Sequence, residues 1–194
     1  MERGKIILTS RGLTTSVGYR LISKELKKDN KLSEKTIYLF HEPHFSIGPM
    51  LIETCLKIGF QKENIYLAGP DISAGVIEKS DYLYTTEGNT FEVLDCMQNS
   101  NVIEPMREAF RRGASYIGAS AGAMIAGKDI SFAYEFDRNF VGLIDVEGLQ
   151  LFDGTVIPHY APKHLKRFLE NEEPEMIARY PNIYSVDEDE ILVL

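Results

Sequence analysis

Five consecutive residues carry the strongest chemical signal in this sequence. Gly118-Ala119-Ser120-Ala121-Gly122 is a G-x-S-x-G pentapeptide between a predicted strand and a predicted helix. A serine on such a tight turn is held in a strained, exposed conformation, and the flanking glycines keep side chains away from it. The next N–H can then donate to an oxyanion, helped by the positive end of the helix. The pattern predicts a nucleophile for acyl transfer; alternatively, Ser120 only caps the helix.

A serine nucleophile needs a base, and histidine is the side chain that suits this role. The histidines of the sequence are His41, His44, His159 and His164. We favour His159, because it directly follows the short β-like run 155–158 and would therefore be fixed at the end of a strand. His44, in the loop after another predicted strand, is the second choice.

A carboxylate must also orient the imidazole, and the residue pattern leaves its identity open. The sequence holds 29 acidic residues. Candidates between the serine and the histidine are Glu135, Asp137, Asp145 and Glu147. Candidates near the end of the sequence are Asp187, Glu188 and Asp189, although an acidic run is more typical of a solvated turn.

A second oxyanion donor is expected on a separate loop, and Glu87-Gly88-Asn89 fits that position. The segment follows a predicted strand, its glycine leaves an N–H accessible, and its asparagine can cap the next helix. An ordinary strand–turn–helix junction would have the same pattern, and the two interpretations are compatible.

The elements that must position these residues alternate along the chain. Strands are predicted at 5–9, 36–41, 64–67, 82–85 and 114–119, and helices at 16–29, 48–59, 73–79, 89–98 and 102–112. This order predicts an α/β fold, a three-layer sandwich with a mainly parallel central sheet. Ligands of such sheets bind beyond the carboxyl ends of the strands, where the candidate residues fall.

The last third of the chain has a different pattern. Short β-like runs over 142–158 are interrupted by Asp153-Gly154, a hairpin signal, and are followed by a helical pattern over 162–179 and β-like residues up to 194. We therefore expect extra β hairpins in this C-terminal part, within a single domain that spans residues 1–194.

Composition narrows the range of functions. Hydrophobic residues make up 44% and the net charge is −8, without a long Lys/Arg cluster, so nucleic acid is not expected as a partner. The apolar runs are too short to span a bilayer, and the first residues lack a signal-peptide pattern. Cys55 and Cys96 show no metal or redox spacing, so we expect reduced thiols in a cytoplasmic protein.

Three segments together resemble the aspartyl dipeptidase (peptidase E) family of serine peptidases, which is related to cyanophycinases. The segment 116–123 is similar to the family's nucleophile segment, 87–91 (EGNTF) to its G-G-N-T-F loop, and 157–160 (IPHY) to its N-P-H-F segment. The resemblance implies a fold like that of class I glutamine amidotransferases and flavodoxin.

The resemblance also implies roles for individual residues. Ser120 would be the nucleophile, His159 the general base, and the N–H groups of Gly88 and Ala121 the oxyanion donors. For the third member of the triad, the resemblance offers two positions, Glu135, which we favour, and Asp187.

Two departures from the family pattern affect the substrate. Glu87 stands where the family has glycine, so a carboxylate beside the oxyanion hole would either repel an anionic intermediate or, with Asn89, contact the substrate. The loop after His159 is shorter than in the dipeptidases, and Lys163, Lys166 or Arg167 would replace the family's basic residue that binds an N-terminal aspartate.

The sequence therefore predicts a serine peptidase that hydrolyses small peptides, with Asp-X dipeptides as candidate substrates, through an acyl-enzyme and without a metal or cofactor. It is expected to act as a monomer or homodimer. Two alternatives stay open: a non-catalytic or regulatory peptidase-like domain, and an esterase or amidase of the same fold.

Overall fold

A computed structural model describes residues 4–42 and 46–194. Its strands are β1 (Ile6–Thr9), β2 (Ile37–Phe40), β3 (Ile65–Leu67), β4 (Tyr82–Thr85), β5 (Ser115–Ala119), β6 (Thr155–Pro158), β7 (Ile183–Val186) and β8 (Ile191–Val193). Its α-helices are α1 (Ser16–Leu26), α2 (Gly48–Ile58), α3 (Ala74–Glu78), α4 (Thr90–Asn99), α5 (Ile103–Arg111), α6 (Ala121–Ile125), α7 (Pro162–Leu169) and α8 (Pro174–Ile177).

The main sheet has the order β3-β2-β4-β5-β1-β8 in the described residues. Its first five strands are parallel, and β8 pairs antiparallel with β1. Because strands β1 and β2 are buried on both faces, their residues are apolar in succession instead of alternating, apart from Thr9 at the end of β1.

Helices cover both faces of this sheet. Alternate side chains of β2 enter two different cores: Tyr38 and Phe40 pack in one, Ile37 and Leu39 in the other. Helices α1 and α2 contribute to the second core, and α4, α5 and α6 to the first. The predicted α/β architecture with a mainly parallel, three-layer arrangement is thereby confirmed.

The register of the strands brings three loops to one edge of the sheet. Thr9 of β1 lies opposite Ala119 of β5, and Thr85 of β4 lies opposite Gly118. The loops that follow β1, β4 and β5 therefore leave the sheet side by side at its carboxyl edge, as expected for a ligand site in an open parallel sheet.

The C-terminal hairpins predicted from the sequence are absent from the described residues. Strand β6 pairs in parallel with β7, and a parallel pair needs a long crossover, here through α7 and α8, which a tight turn cannot supply. Asp153-Gly154 only leads into β6. The helix predicted over 162–179 is divided because Pro174, which lacks an N–H, begins a new helix.

None of the helices in the described ranges combines the length and the apolar character needed to cross a bilayer.

Candidate active site

The backbone at Ser120 is strained, as the pentapeptide predicts. Ser120 has φ 50° and ψ −107°, a region that residues with a Cβ rarely adopt. The glycines on either side are required by close backbone contacts. A Cβ on Gly118 would lie 2.4 Å from the carbonyl oxygen of Gly122, and one on Gly122 would lie 2.3 Å from that of Thr85. These contacts keep the turn tight and present the Ser120 hydroxyl at the carboxyl edge.

A chain of two hydrogen bonds joins Ser120 to a histidine and a carboxylate. The Oγ of Ser120 lies 2.9 Å from Nε2 of His159, and Nδ1 of His159 lies 2.9 Å from Oε1 of Glu188. With the ring proton on Nδ1, His159 donates to the carboxylate and accepts the serine proton at Nε2. This is the geometry of a serine nucleophile with its general base and an orienting acid.

The carboxylate at His159 differs from both positions that the resemblance implied. Both ring nitrogens are engaged, by Ser120 and Glu188, so neither Glu135 nor Asp187 orients the ring here. Glu135 is exposed at the end of the 3-10 helix Ser131–Glu135. Asp187 instead accepts the backbone N–H of Glu188, at 2.8 Å.

Strand pairing explains why Glu188 occupies this position. Pro158 of β6 lies opposite Val186 of β7, so the residues that follow the two strands emerge together. Burial raises the pKa of Glu188, but hydrogen bonds from His159 and Arg11 outweigh it and hold the pKa below its ordinary value. The ionised form of Glu188 is therefore favoured beside the imidazole of His159.

Two backbone N–H groups on the loops at Ser120 have no partner among the residues that the structure describes. Within the described part of the chain, the N–H groups of Gly88 and Ala121 form no hydrogen bond. Gly88 adopts φ 155°, which favours glycine, and the Gly122 N–H donates to the carbonyl of Thr86, which ties the two loops together. Both N–H groups are therefore unpaired within residues 4–42 and 46–194, and they lie on neighbouring loops.

Glu87 and Asn89 make contacts within the protein. The Glu87 carboxylate accepts a hydrogen bond from Thr14, in the loop after β1. The Asn89 side chain accepts the N–H groups of Phe91 and Glu92 at the start of α4 and donates to the carbonyl of Arg138. The predicted capping by Asn89 is confirmed, and Glu87 supports a neighbouring loop.

Glu42 is a buried acid that none of the sequence predictions named. It follows β2, is 1% exposed, and its Oε1 would lie 2.6 Å from a Cβ on Gly88. Burial, with Glu92 and Asp137 nearby, raises its pKa to about 7. Its position directly after the predicted strand 36–41, at the carboxyl edge of the sheet, is the sequence feature that could have identified it.

The remaining candidates are located as follows. Lys163 and Arg167 lie on the exposed surface of α7, four residues apart, shortly after His159. Tyr160 packs with Phe136 and Phe168 in an aromatic cluster beside His159.

His44, the alternative base, lies outside the described residues. Within 4–42 and 46–194, no group of three or more His, Cys, Asp or Glu side chains is arranged to hold a metal ion.

Comparison with solved structures supports this fold. The chain superposes along its whole length on a Listeria monocytogenes protein provisionally named peptidase E, with a TM-score of 0.67, 23% identity and 95% of that chain covered. A peptidase from an acI-B1 Actinobacterium matches with a TM-score of 0.62 and 17% identity, over 99% of this chain and 83% of the other. At these identities, the superpositions establish the fold alone.

Sequence comparison identifies the family. The chain is 28% identical to an uncharacterized peptidase of Listeria monocytogenes, over 61% of this chain and 58% of that protein. It is 27% identical to a peptidase E of a Nostoc strain, over 66% of this chain and 53% of the relative. The chain thus spans about half the length of the curated relatives that it matches. The model of peptidase family S51 matches residues 53–194, and the chain belongs to this family.

Proposed function

We propose that the protein is a serine peptidase in which Ser120, His159 and Glu188 form the catalytic triad. The hydrogen-bonded chain from Ser120 through His159 to Glu188 is the observation that carries the proposal. The Ser120 oxygen attacks the peptide carbonyl while His159 takes the hydroxyl proton at Nε2. His159 then gives this proton to the leaving amine, the C–N bond breaks, and water hydrolyses the resulting ester.

The charges that develop in this reaction have partners in the site. The N–H groups of Gly88 and Ala121, which are unpaired among the described residues, are suited to bind the oxyanion, a contribution of about 3 kcal/mol for each donor in comparable sites. The ionised Glu188 stabilises the imidazolium that forms when His159 takes the proton. The Glu87 carboxylate accepts a hydrogen bond from Thr14. This contact argues against the alternative of a non-catalytic domain in which Glu87 disables the oxyanion hole.

We further propose small peptides as substrates, with Asp-X dipeptides as the first to test. Lys163 and Arg167 are exposed on α7 and make no ion pair within the described residues, so their cations are available to a substrate carboxylate. The aromatic cluster around Tyr160 offers an apolar surface near His159.

The test is a kinetic comparison of matched variants on a panel of dipeptides that includes Asp-X. We expect Ser120→Ala and His159→Ala to abolish hydrolysis and Glu188→Gln to lower kcat by up to about 10⁴-fold. The matched control Glu135→Gln removes an exposed acid and should hydrolyse like the wild type. Only an activated serine reacts rapidly with a fluorophosphonate, so this probe should label wild-type Ser120 and not the Ser120→Ala variant.

Two outcomes would contradict the proposal. Full activity in Ser120→Ala would exclude this serine as the nucleophile. Equal losses in Glu188→Gln and Glu135→Gln would show that Glu188 has no special part in the triad. Hydrolysis of esters or simple amides but of no peptide would instead favour the esterase or amidase alternative.

A further inference from the structure

We propose that Arg11 is a positioning residue of the triad: its guanidinium fixes the Glu188 carboxylate, while the adjacent Ser10 fixes the backbone of His159. The inference rests on the proposed function. It extends the site to the loop after β1, from which no residue was predicted to contribute.

The first observation is that both carboxylate oxygens of Glu188 are held. Oε1 faces Nδ1 of His159 at 2.9 Å, and Oε2 accepts a hydrogen bond from Nε of Arg11 at 2.5 Å. A carboxylate held at one oxygen alone can rotate away from the imidazole. With the second oxygen bound to a guanidinium, the orientation that serves His159 is fixed.

The second observation concerns the backbone of His159. The Oγ of Ser10 accepts the N–H of His159 and donates to the carbonyl of Val186, each at 2.8 Å. Ser10 is 1% exposed, so water does not compete for these bonds. The bonds hold the ends of β6 and β7 together and keep His159 at φ 65°, a conformation that a non-glycine residue adopts only when its surroundings require it.

The third observation is that the loop carrying Arg11 is itself fixed. The Thr9 hydroxyl donates to the carbonyl of Arg11 at 2.9 Å, and the Leu13 N–H donates to the hydroxyl of Tyr84 at 3.0 Å. Thr14 donates to Glu87. The Arg11 side chain therefore starts from a defined backbone position. Glu87, which departs from the family pattern, supports the loop that holds Glu188 through Arg11.

The charge of Arg11 has a second effect, on the ionisation of Glu188. The titratable or charged groups that face Glu188 in the described residues are His159 and Arg11, with Asp187 beside it on the same loop. Arg11 lowers the pKa of Glu188. Without this cation, Glu188 would keep its proton to a higher pH, so the part of the acidic limb that follows the ionisation of Glu188 would move to higher pH.

If Arg11 served only to stabilise the fold, its removal would lower the melting temperature. The side chains of Arg11 and Glu188 are 49% and 43% exposed, and ion pairs this exposed contribute little to folding. If Arg11 acts through Glu188, its removal should change kcat and the pH profile but leave the melting temperature almost unchanged.

The experiment compares Arg11→Gln and Arg11→Lys with the wild type, and uses Arg112→Gln as the matched control. Arg112 is exposed at the amino end of β5, the end opposite Ser120, and its substitution changes the net charge equally. The readouts are kcat and KM on the best dipeptide substrate, the pH profile of kcat/KM, the rate of fluorophosphonate labelling of Ser120, and the melting temperature.

For Arg11→Gln we expect a loss in kcat of about 10-fold to 100-fold, little change in KM, and an acidic limb displaced to higher pH. Arg11→Lys restores the charge without the planar guanidinium, so it should recover the acidic limb more fully than kcat. Arg112→Gln should behave like the wild type.

The failures of the two proposals can be distinguished. If wild-type Ser120 is labelled but Arg11→Gln keeps its labelling rate, kcat and acidic limb, the positioning role is wrong and the serine mechanism stands. Equal losses in Arg11→Gln and Arg112→Gln would also overturn the positioning role. If wild-type Ser120 is neither labelled nor active, both proposals fail. Should Arg11→Gln not fold, Arg11→Lys replaces it in this comparison, and a labelling rate, kcat and acidic limb equal to those of the wild type would overturn the positioning role.

Discussion

At the scale of the residue, Glu42 lies in an unusual environment for an acid. It is almost completely buried, its Oε1 has no hydrogen-bond partner in the described residues, and Glu92 and Asp137 are the nearby charges. Each of these conditions favours the neutral form, which is why its pKa is raised to about 7. An acid that is neutral when folded and ionised when unfolded makes stability depend on pH.

The sign of this dependence follows from proton binding. Below about pH 4.5 the folded and unfolded chains both carry the proton, so Glu42 has no effect on stability. Between about pH 4.5 and 7 only the unfolded chain releases the proton, so rising pH favours unfolding. Above about pH 7 the cost levels off at about 3 kcal/mol at most.

Glu42→Gln removes this titration, so we expect it to be more stable than the wild type at pH 8.5 and to lose that advantage at pH 4.5. Urea denaturation at several pH values measures the difference in free energy of unfolding. The matched control is Glu63→Gln, which makes the same substitution at an exposed site. A pH-independent difference for Glu42→Gln would contradict the assignment.

At the scale of the element, the short helix α6 packs unusually closely on the end of β4. The Cβ position of Gly122 lies 2.3 Å from the backbone carbonyl oxygen of Thr85, which cannot move without disturbing the central sheet. The last glycine of the G-x-S-x-G pattern is therefore required by the packing of α6 against β4 as well as by the conformation of the turn.

Gly122→Ala should consequently destabilise the protein, by about 1–3 kcal/mol, because the added methyl group forces α6 away from β4. Gly75→Ala is the matched control, since its Cβ position in α3 has no atom within 4 Å apart from its chain neighbours and the backbone of its own helix. It should stabilise the protein by up to about 1 kcal/mol. Chemical denaturation of both variants tests this, and similar stabilities would contradict the packing argument.

At the scale of the whole molecule, the sequence predicts the elements that have a local hydrophobic pattern. It does not determine which elements pair when they are far apart in the chain. The units from β1 to α6 could be predicted because each strand and helix has its own hydrophobic pattern and short connections. The apolar residues of β8 indicate a strand, but nothing local indicates antiparallel pairing with β1, more than 180 residues earlier by residue number. The expected hairpins were therefore wrong.

The same distinction applies to the site. The proximity of Ser120 and His159 could be predicted from two short motifs at strand ends. The acid could not, because Asp187, Glu188 and Asp189 have the same local pattern, and the pairing of β7 with β6 determines which one reaches the imidazole. Arg11 gave no signal either, because its partner lies 177 residues away.

The positive φ angle of Ser120 has a consequence for evolution and engineering. A non-glycine residue in such a conformation costs about 1–3 kcal/mol, so the fold retains a residue that lowers its own stability. Ser120→Gly and Ser120→Ala both lack the hydroxyl, but only glycine relieves the backbone. We expect Ser120→Gly to have the higher melting temperature, although glycine normally destabilises a fixed position through the entropy of the unfolded chain. Equal melting temperatures would show that the turn is unstrained, whereas the expected order would demonstrate a direct trade-off between stability and activity at one residue.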